Sequence, residues 1–173
     1  MEWMILPLKR YAEFRGRSRR KEYWMFFLFT ILVSIVLGII DGVLGLTLGG
    51  GDGVTATAAS TGVLGGIFSL ATIVPSIAVG VRRLHDTDRS GWWLLVPVGL
   101  LILGLVLGGA LGGAAGGGMM GLGAGFGLGI LGAVVGGIVL LVFYCLEGTR
   151  GPNRFGPDPK DPAGTADLNE VFR

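Results

Sequence analysis

The 173-residue chain is 51% hydrophobic and 15% charged, with a mean hydropathy of +0.69. Soluble domains carry about 25% charged residues, so this composition belongs to the membrane class. A net charge of +2 supplies no basic field for nucleic acid, and the single cysteine, Cys145, excludes an intramolecular disulfide and any CxxC metal or redox motif.

Residues 1–22 divide in two. Trp3, Met4, Ile5, Leu6, Leu8, Tyr11 and Phe14 supply apolar surface, interrupted by Pro7. Lys9, Arg10, Arg15, Arg17, Arg19, Arg20 and Lys21 supply charge. No small-residue cleavage site follows a short apolar region, so the segment does not read as a cleaved signal peptide. The first crossing is then expected to stay as an uncleaved anchor. The segment reads as lying on the membrane surface, with a short helix after Pro7, or as a basic tail that only sets topology. Its charge density attracts anionic lipid, at roughly 1 kcal/mol per nearby basic side chain.

Residues 23–40 form the first expected crossing. They carry no charge, and a rise of about 1.5 Å per residue nearly spans a core of about 30 Å. Thr30, Ser34 and Gly38 place small groups on one face, where another helix can approach. Asp41 is expected at the outer interface with its carboxylate hydrated; a buried functional acid is the alternative. Residues 41–61 read as a flexible external loop whose only charges are Asp41 and Asp52, with the helix able to run on to Leu48.

Residues 62–81 form the second expected crossing. Gly65, Ser69, Thr72, Ser76 and Gly80 share one helical face. That face suits helix contact or a polar pathway. No ionisable group joins it, which favours contact. Pro75 is expected to kink the helix, because it lacks a backbone N–H and crowds the preceding turn.

A charged island follows, Arg82-Arg83-Leu84-His85-Asp86-Thr87-Asp88-Arg89-Ser90-Gly91-Trp92-Trp93, containing the chain's one histidine. Beyond it, residues 92–111 are the third crossing, anchored by Trp92 and Trp93 and bent by Pro97. Residues 112–125 read as a glycine-rich external turn and 126–146 as the fourth crossing. Gly104, Gly108, Gly112 and Gly116 share one four-residue register; Gly109, Gly113, Gly117, Gly121, Gly125 and Gly129 share another. In lipid, unmet backbone groups cost several kcal/mol each, which enforces helix even at glycine. No Gly-Lys-Ser/Thr ending supports a phosphate loop. Residues 147–173 form a polar tail with Pro152, Pro157, Pro159 and Pro162, and Asp167 to Phe172 can form one helical turn.

Seven of the fourteen Lys and Arg precede the first crossing. Arg82, Arg83 and Arg89 sit in the island, and Arg150, Arg154, Lys160 and Arg173 follow the fourth crossing. The two external loops have none. The positive-inside rule then places both termini and the island in the cytoplasm. The expected fold is an all-α integral membrane protein with four transmembrane helices as two hairpins.

The island offers His85 beside Asp86 and Asp88, but a metal site needs three or four convergent ligands. No second histidine, HExxH or intramembrane acid pair exists, so no catalytic residue, metal or cofactor is assigned. Asp86 or Asp88 is expected to cap a turn and Ser90 or Asp88 the third helix, with Arg82 and Arg83 meeting phosphates. His85 reads as structural ahead of a ligand or general base.

Three stretches carry a resemblance. They are Phe14-Arg15-Gly16-Arg17-Ser18-Arg19-Arg20-Lys21-Glu22-Tyr23-Trp24, then Arg82-Arg83-Leu84-His85-Asp86 with Ser90-Gly91-Trp92-Trp93, and Gly148-Thr149-Arg150-Gly151-Pro152-Asn153-Arg154-Phe155-Gly156-Pro157-Asp158-Pro159. Together they resemble the leading, central and closing motifs of the bacterial inner-membrane family called domain of unknown function 805. The resemblance covers nearly the whole chain. It implies four crossings and a multi-pass protein of the bacterial inner membrane, and it brings no established activity. Asp88 departs from the family pattern, where a small or amide residue is expected, and the glycine-rich third and fourth crossings are unusual.

All three motifs are expected on one cytoplasmic surface. Arg17, Arg20, Arg82, Arg83 and Arg154 can converge there with Glu22, Asp86 and Asp158. The candidate ligand- or headgroup-binding residues are Arg17, Arg20, Arg82, Arg83, His85, Asp86, Asn153 and Arg154. The expected function is a collar that holds the hairpins and binds lipid headgroups or a partner. The alternative is a small transporter or channel lined by Ser69, Thr72 and Ser76. Expected partners are anionic membrane lipids, a protein, or a second copy through the glycine faces, and no nucleic acid.

Overall fold

The computed structural model describes residues 2–46, 62–114 and 118–160. It contains α1 (Glu2–Lys9), α2 (Arg20–Leu44), α3 (Val63–Asp86), a 3-10 turn (Gly91–Leu95), α4 (Val96–Ala114) and α5 (Gly118–Cys145). Among the described residues, four helical stretches are long and apolar enough to cross a membrane. Asp52, Gly116 and the expected turn at Asp167 to Phe172 lie outside the described residues.

The crossings are longer than hydropathy suggests: α4 reaches Ala114 and α5 starts at Gly118, so helix takes most of the turn expected over 112–125, and caps rather than apolarity end the first two. α2 runs on to Leu44, where Gly45 takes a left-handed φ of 67°. Leu46 N–H then returns to the Asp41 carbonyl at 2.9 Å, which closes the helix before Leu48. α3 continues through Arg82 and Arg83 to Asp86, so the leading part of the charged island is helix. Pro97 falls in the first turn of α4, where its missing N–H costs no helical bond. The bend expected there is instead the change from 3-10 turn to α-helix.

Asp41 corrects an expectation. Its carboxylate is not hydrated: the residue is 1% exposed. Oδ1 accepts Leu64 N–H at 3.1 Å and Oδ2 accepts Gly65 N–H at 2.9 Å. Asp41 thus caps α3 from the end of α2. The first-turn N–H groups of α3 have no partner within their own helix, and a carboxylate there also meets the positive end of the helix dipole.

The N-terminal helix starts ahead of Pro7 instead of after it. α1 contains Pro7 and packs against α2 and α3, with Pro7 fully buried. One proline near the end of a short helix removes a single hydrogen bond, and burial of the ring offsets that.

α4 and α5 form the tightest pair. A side-chain carbon on Gly125 would stand 2.6 Å from the Gly104 carbonyl, and one on Gly129 would stand 2.7 Å from the Leu101 carbonyl. Further along, Gly132 abuts Leu100 and Gly136 abuts Pro97. The stripe from Gly125 to Gly136 therefore lies directly on α4. This is the small-residue packing that lipid favours, since apolar side chains gain little by leaving acyl chains.

The buried core is small and sits at the charged end. Leu84, Leu140 and Tyr144 are buried, with Tyr23, Trp24, Leu94 and Phe143 around them. Tyr23 and Tyr144 have ring centroids 4.3 Å apart, joining α2 to α5. Elsewhere the helices present apolar surface outward, as at Ile39, Val43, Ile67 and Leu131. Such a surface fits acyl chains and not water.

Candidate functional site

The three motifs meet around one carboxylate. Asp86 ends α3 and is 3% exposed. Its Oδ1 accepts Arg17 Nε at 3.0 Å and its Oδ2 accepts Arg83 Nη1 at 2.5 Å. Each arginine carries its remaining donors to the end of α5 or the chain just beyond it. Arg17 Nη1 donates to the Gly151 carbonyl at 2.6 Å, and Nη2 donates to the Thr149 carbonyl. Arg83 Nε donates to the Tyr144 carbonyl at 3.1 Å, and Nη2 to the Leu146 carbonyl.

This division of labour follows from chemistry. A carboxylate offers two oxygens with several lone pairs, and a guanidinium offers five N–H donors in a planar fork. One Asp can therefore hold two Arg, and each Arg can still bind backbone. The last carbonyls of α5 have no helical partner of their own, so Arg83 caps that helix, while Arg17 holds the segment beyond it. The Asp86 backbone carbonyl joins in, accepting Thr149 N–H at 2.8 Å. Gly148 sits so close to the Asp86 carboxylate that any side chain there would collide with it. Asp86, one of the two acids expected to cap a turn, is instead the hub.

Arg82 faces a different partner. Its Nη2 lies 3.3 Å from Glu22 Oε1, and both side chains are at most 4% exposed. Nε, Nη1 and Nη2 of Arg82, Oε1 of Glu22 and Oγ of Ser18 have no hydrogen-bond partner of good geometry. The backbone joins the same elements, with Ser18 N–H donating to the Arg82 carbonyl at 3.1 Å. A buried ion pair repays desolvation poorly unless its other donors are met.

His85 lies flat on Phe155, with ring centroids 3.9 Å apart and planes 4° apart. Its Nδ1 is 3.3 Å from the Gly16 carbonyl. The ring thus links the leading and closing motifs. Asn153 Nδ2 donates to the His85 carbonyl at 2.9 Å and to Thr149 Oγ1 at 3.0 Å, while its Oδ1 accepts Phe155 N–H at 2.9 Å. Arg154 is exposed; it pairs with Asp88 at 3.0 Å and donates to the Asp88 carbonyl. Asp88 has a φ of 56°, a left-handed conformation that Asn and Asp tolerate better than other side-chain-bearing residues. The turn where Asp88 departs from the family pattern is thus built with an acid in place of a small or amide residue. Arg20 is exposed and donates to the Cys145 carbonyl at 3.0 Å. Ser90 occupies the position before the 3-10 turn without a side-chain capping bond.

Of the eight candidate residues, Arg17, Arg82, Arg83 and Asp86 are buried and turned toward protein. His85 and Asn153 are partly covered, and Arg20 and Arg154 are exposed. Among the described residues no three His, Cys, Asp or Glu side chains stand together as metal ligands would. In the hydroxyl stripe, Ser69 and Ser76 are exposed, and buried Thr72 donates to the Phe68 carbonyl at 2.8 Å. Sequence reading missed Thr149 and the carbonyls of Tyr144, Leu146 and Gly151. A backbone carbonyl leaves no mark in a sequence; the glycine and threonine beside these positions were the only sign.

Burial pushes the Asp158 carboxyl up, but the Lys160 and Gly151 backbone N–H groups and the charges of Arg17 and Lys160 outweigh it and hold it below the usual carboxylate range. Those N–H bonds are 2.9 and 3.1 Å long. They fold the closing motif into a compact turn over Arg17.

The comparisons with known proteins agree with this architecture. The family described as "Protein of unknown function (DUF805)" matches residues 11–157, which include the first two motifs and all of the third but Asp158 and Pro159. The inner membrane protein YhaH of Escherichia coli K12 is 39% identical over 92% of this chain and 98% of its own length. The inner membrane protein YhaI of the same strain is 36% identical over 92% of this chain and 97% of its own. No solved structure matches. The chain belongs to the DUF805 family of unknown function and, like these relatives, is a multi-pass inner-membrane protein.

Proposed function

We propose that the protein is a membrane-embedded structural and accessory component, built around a cytoplasmic clasp that ties its two helical hairpins together. The observation that carries this reading is the Asp86 carboxylate shared by Arg17, which also grips the chain after α5, and Arg83, which grips the last turn of α5. One residue thus joins the segment before α2, the end of α3 and the end of α5. The buried charges are spent on this closure. Exposed Arg20 and Arg154 remain on the rim, toward anionic headgroups or a protein partner.

Thermal unfolding of the purified protein in detergent tests the clasp. Asp86→Asn leaves two buried guanidinium groups without a counter-charge. Breaking a buried pair this way costs about 3–5 kcal/mol. The expected result is a large fall in melting temperature, matched by Arg17→Gln and not by Arg154→Gln. An unchanged melting temperature for Asp86→Asn would sink the clasp.

A further inference from the structure

A cavity of about 370 Å³ opens beside the clasp, between α1, the first turn of α2 and the closing motif. Trp3, Arg10, Arg19, Glu22, Pro157 and Asp158 are among its lining residues. We propose that this cavity binds a phosphate ester group that carries a hydroxyl or ammonium donor, as a phospholipid headgroup does. The proposal rests on the clasp, because the clasp brings the cavity walls together.

Charge accounting selects an anion. Arg17 also lines the cavity and shares Asp86 with Arg83, which leaves one positive charge in excess there, and Glu22 is neutralised by Arg82. Asp158 keeps its negative charge, which that excess offsets, and its oxygens accept two backbone N–H groups. Arg10 and Arg19 are left. The Arg10 pair with Glu13 is 3.6 Å long and about half exposed, so it holds Arg10 weakly. Arg19 uses Nε on the Pro159 carbonyl at 2.5 Å. Among the described residues its other two nitrogens have no hydrogen-bond partner. Trp3 lies 5.7 Å from the Arg19 guanidinium and steadies it. Arg19 is also the N-cap position of α2, with no side-chain capping bond, so the positive end of a 25-residue helix adds to the field.

A second observation points to the donor on the ligand. Glu22 is 3% exposed and lines the cavity; its Oε1 is turned to Arg82 at 3.3 Å, and its Oε2 accepts no hydrogen bond among the described residues. An oxygen so placed accepts from a hydroxyl or ammonium adjacent to the phosphate. Trp3, Pro157 and their apolar neighbours suit the carbon skeleton between those groups. The volume fits a headgroup, at the small end of ordinary ligand pockets of about 300–1,000 Å³.

Two sources share this chemistry, a membrane phospholipid and a soluble phosphate ester. Native mass spectrometry of delipidated protein separates them, with phosphatidylglycerol, phosphatidylethanolamine and soluble glycerol 3-phosphate as probes. Wild type is expected to retain one phospholipid per chain, saturably. The double substitution Arg10→Gln, Arg19→Gln is expected to weaken retention at least tenfold with the melting temperature unchanged, and Trp3→Ala to weaken it less. Saturable glycerol 3-phosphate binding with the same arginine dependence, and no lipid retained, would assign the site to a soluble ester. Equal lipid retention by wild type and the arginine double variant, or no binding of any probe, would overturn the proposal. The clasp fails separately, through an unchanged melting temperature in Asp86→Asn.

Discussion

At the scale of single residues, Tyr11 shows how one hydroxyl repairs a helix. Pro75 has no N–H, so the Ala71 carbonyl four residues earlier lacks its helical donor. The Tyr11 hydroxyl donates to that carbonyl at 2.8 Å. Tyr11→Phe should therefore destabilise the protein by about 1 kcal/mol, the ordinary net value of a hydrogen bond. In a Pro75→Ala background the new N–H serves the carbonyl, and the same Tyr11 substitution should cost almost nothing. A double-mutant cycle by thermal unfolding measures this, and equal costs in both backgrounds would refute the assignment. Asp158 makes a pH prediction. Its folded pKa lies below the unfolded one, so its stabilisation is complete above the unfolded value and is lost as pH falls through the folded one. The melting temperature should not respond to Asp158 between neutral pH and about pH 5, and should fall below about pH 4. Asp158→Asn should remove that part of the acid dependence. Neither Tyr11 nor Asp41 was legible from sequence, since each serves a backbone group on another element. Only Pro75 marked the need, and it could not say which side chain would meet it.

At the scale of elements, hydropathy located the crossings and misplaced their ends. A run of apolar residues says that backbone must be helical in lipid, but it is silent about capping. Gly45 ends α2, and the island stays helical to Asp86 because its arginines turn inward instead of entering water. The glycine registers announced a close approach and left its partner open. The structure pairs Gly104 with Gly125 and Gly129 inside the second hairpin. This predicts a sharp asymmetry among glycines on one helix. Gly125→Ala forces α4 and α5 apart, and overpacking of this kind costs about 1–3 kcal/mol. Gly127 faces open space, so Gly127→Ala should be neutral or slightly stabilising. Similar melting temperatures for the two variants would mean that the hairpin is not packed through Gly125.

At the scale of the whole molecule, the two hairpins are unlike. α2 and α3 are capped to each other at one end by Asp41, and α4 and α5 lie together along a glycine seam. What joins hairpin to hairpin is concentrated at the charged end, in the Asp86 hub, the Tyr23–Tyr144 contact and the turn over Arg17. The family motifs could be found because charge stands out against an apolar chain. Their pairing could not, because Arg17 and Asp86 are 69 positions apart and only the fold sets them side by side. Orientation follows from the same charges by a separate argument. Lys and Arg near the ends of crossings resist translocation, and nearly all of this chain's basic residues flank the clasp. We therefore expect the clasp on the cytoplasmic side. With Cys145→Ala as background, a membrane-impermeant thiol reagent added to intact spheroplasts should modify Ala58→Cys, in the connection between α2 and α3. It should spare Arg150→Cys until the membrane is opened. The reverse pattern would place the clasp outside. It would remove the cytoplasmic leaflet as the source of any headgroup in the Arg19 cavity while leaving the ion pairs of the clasp untouched, so topology and closure stand or fall on different measurements.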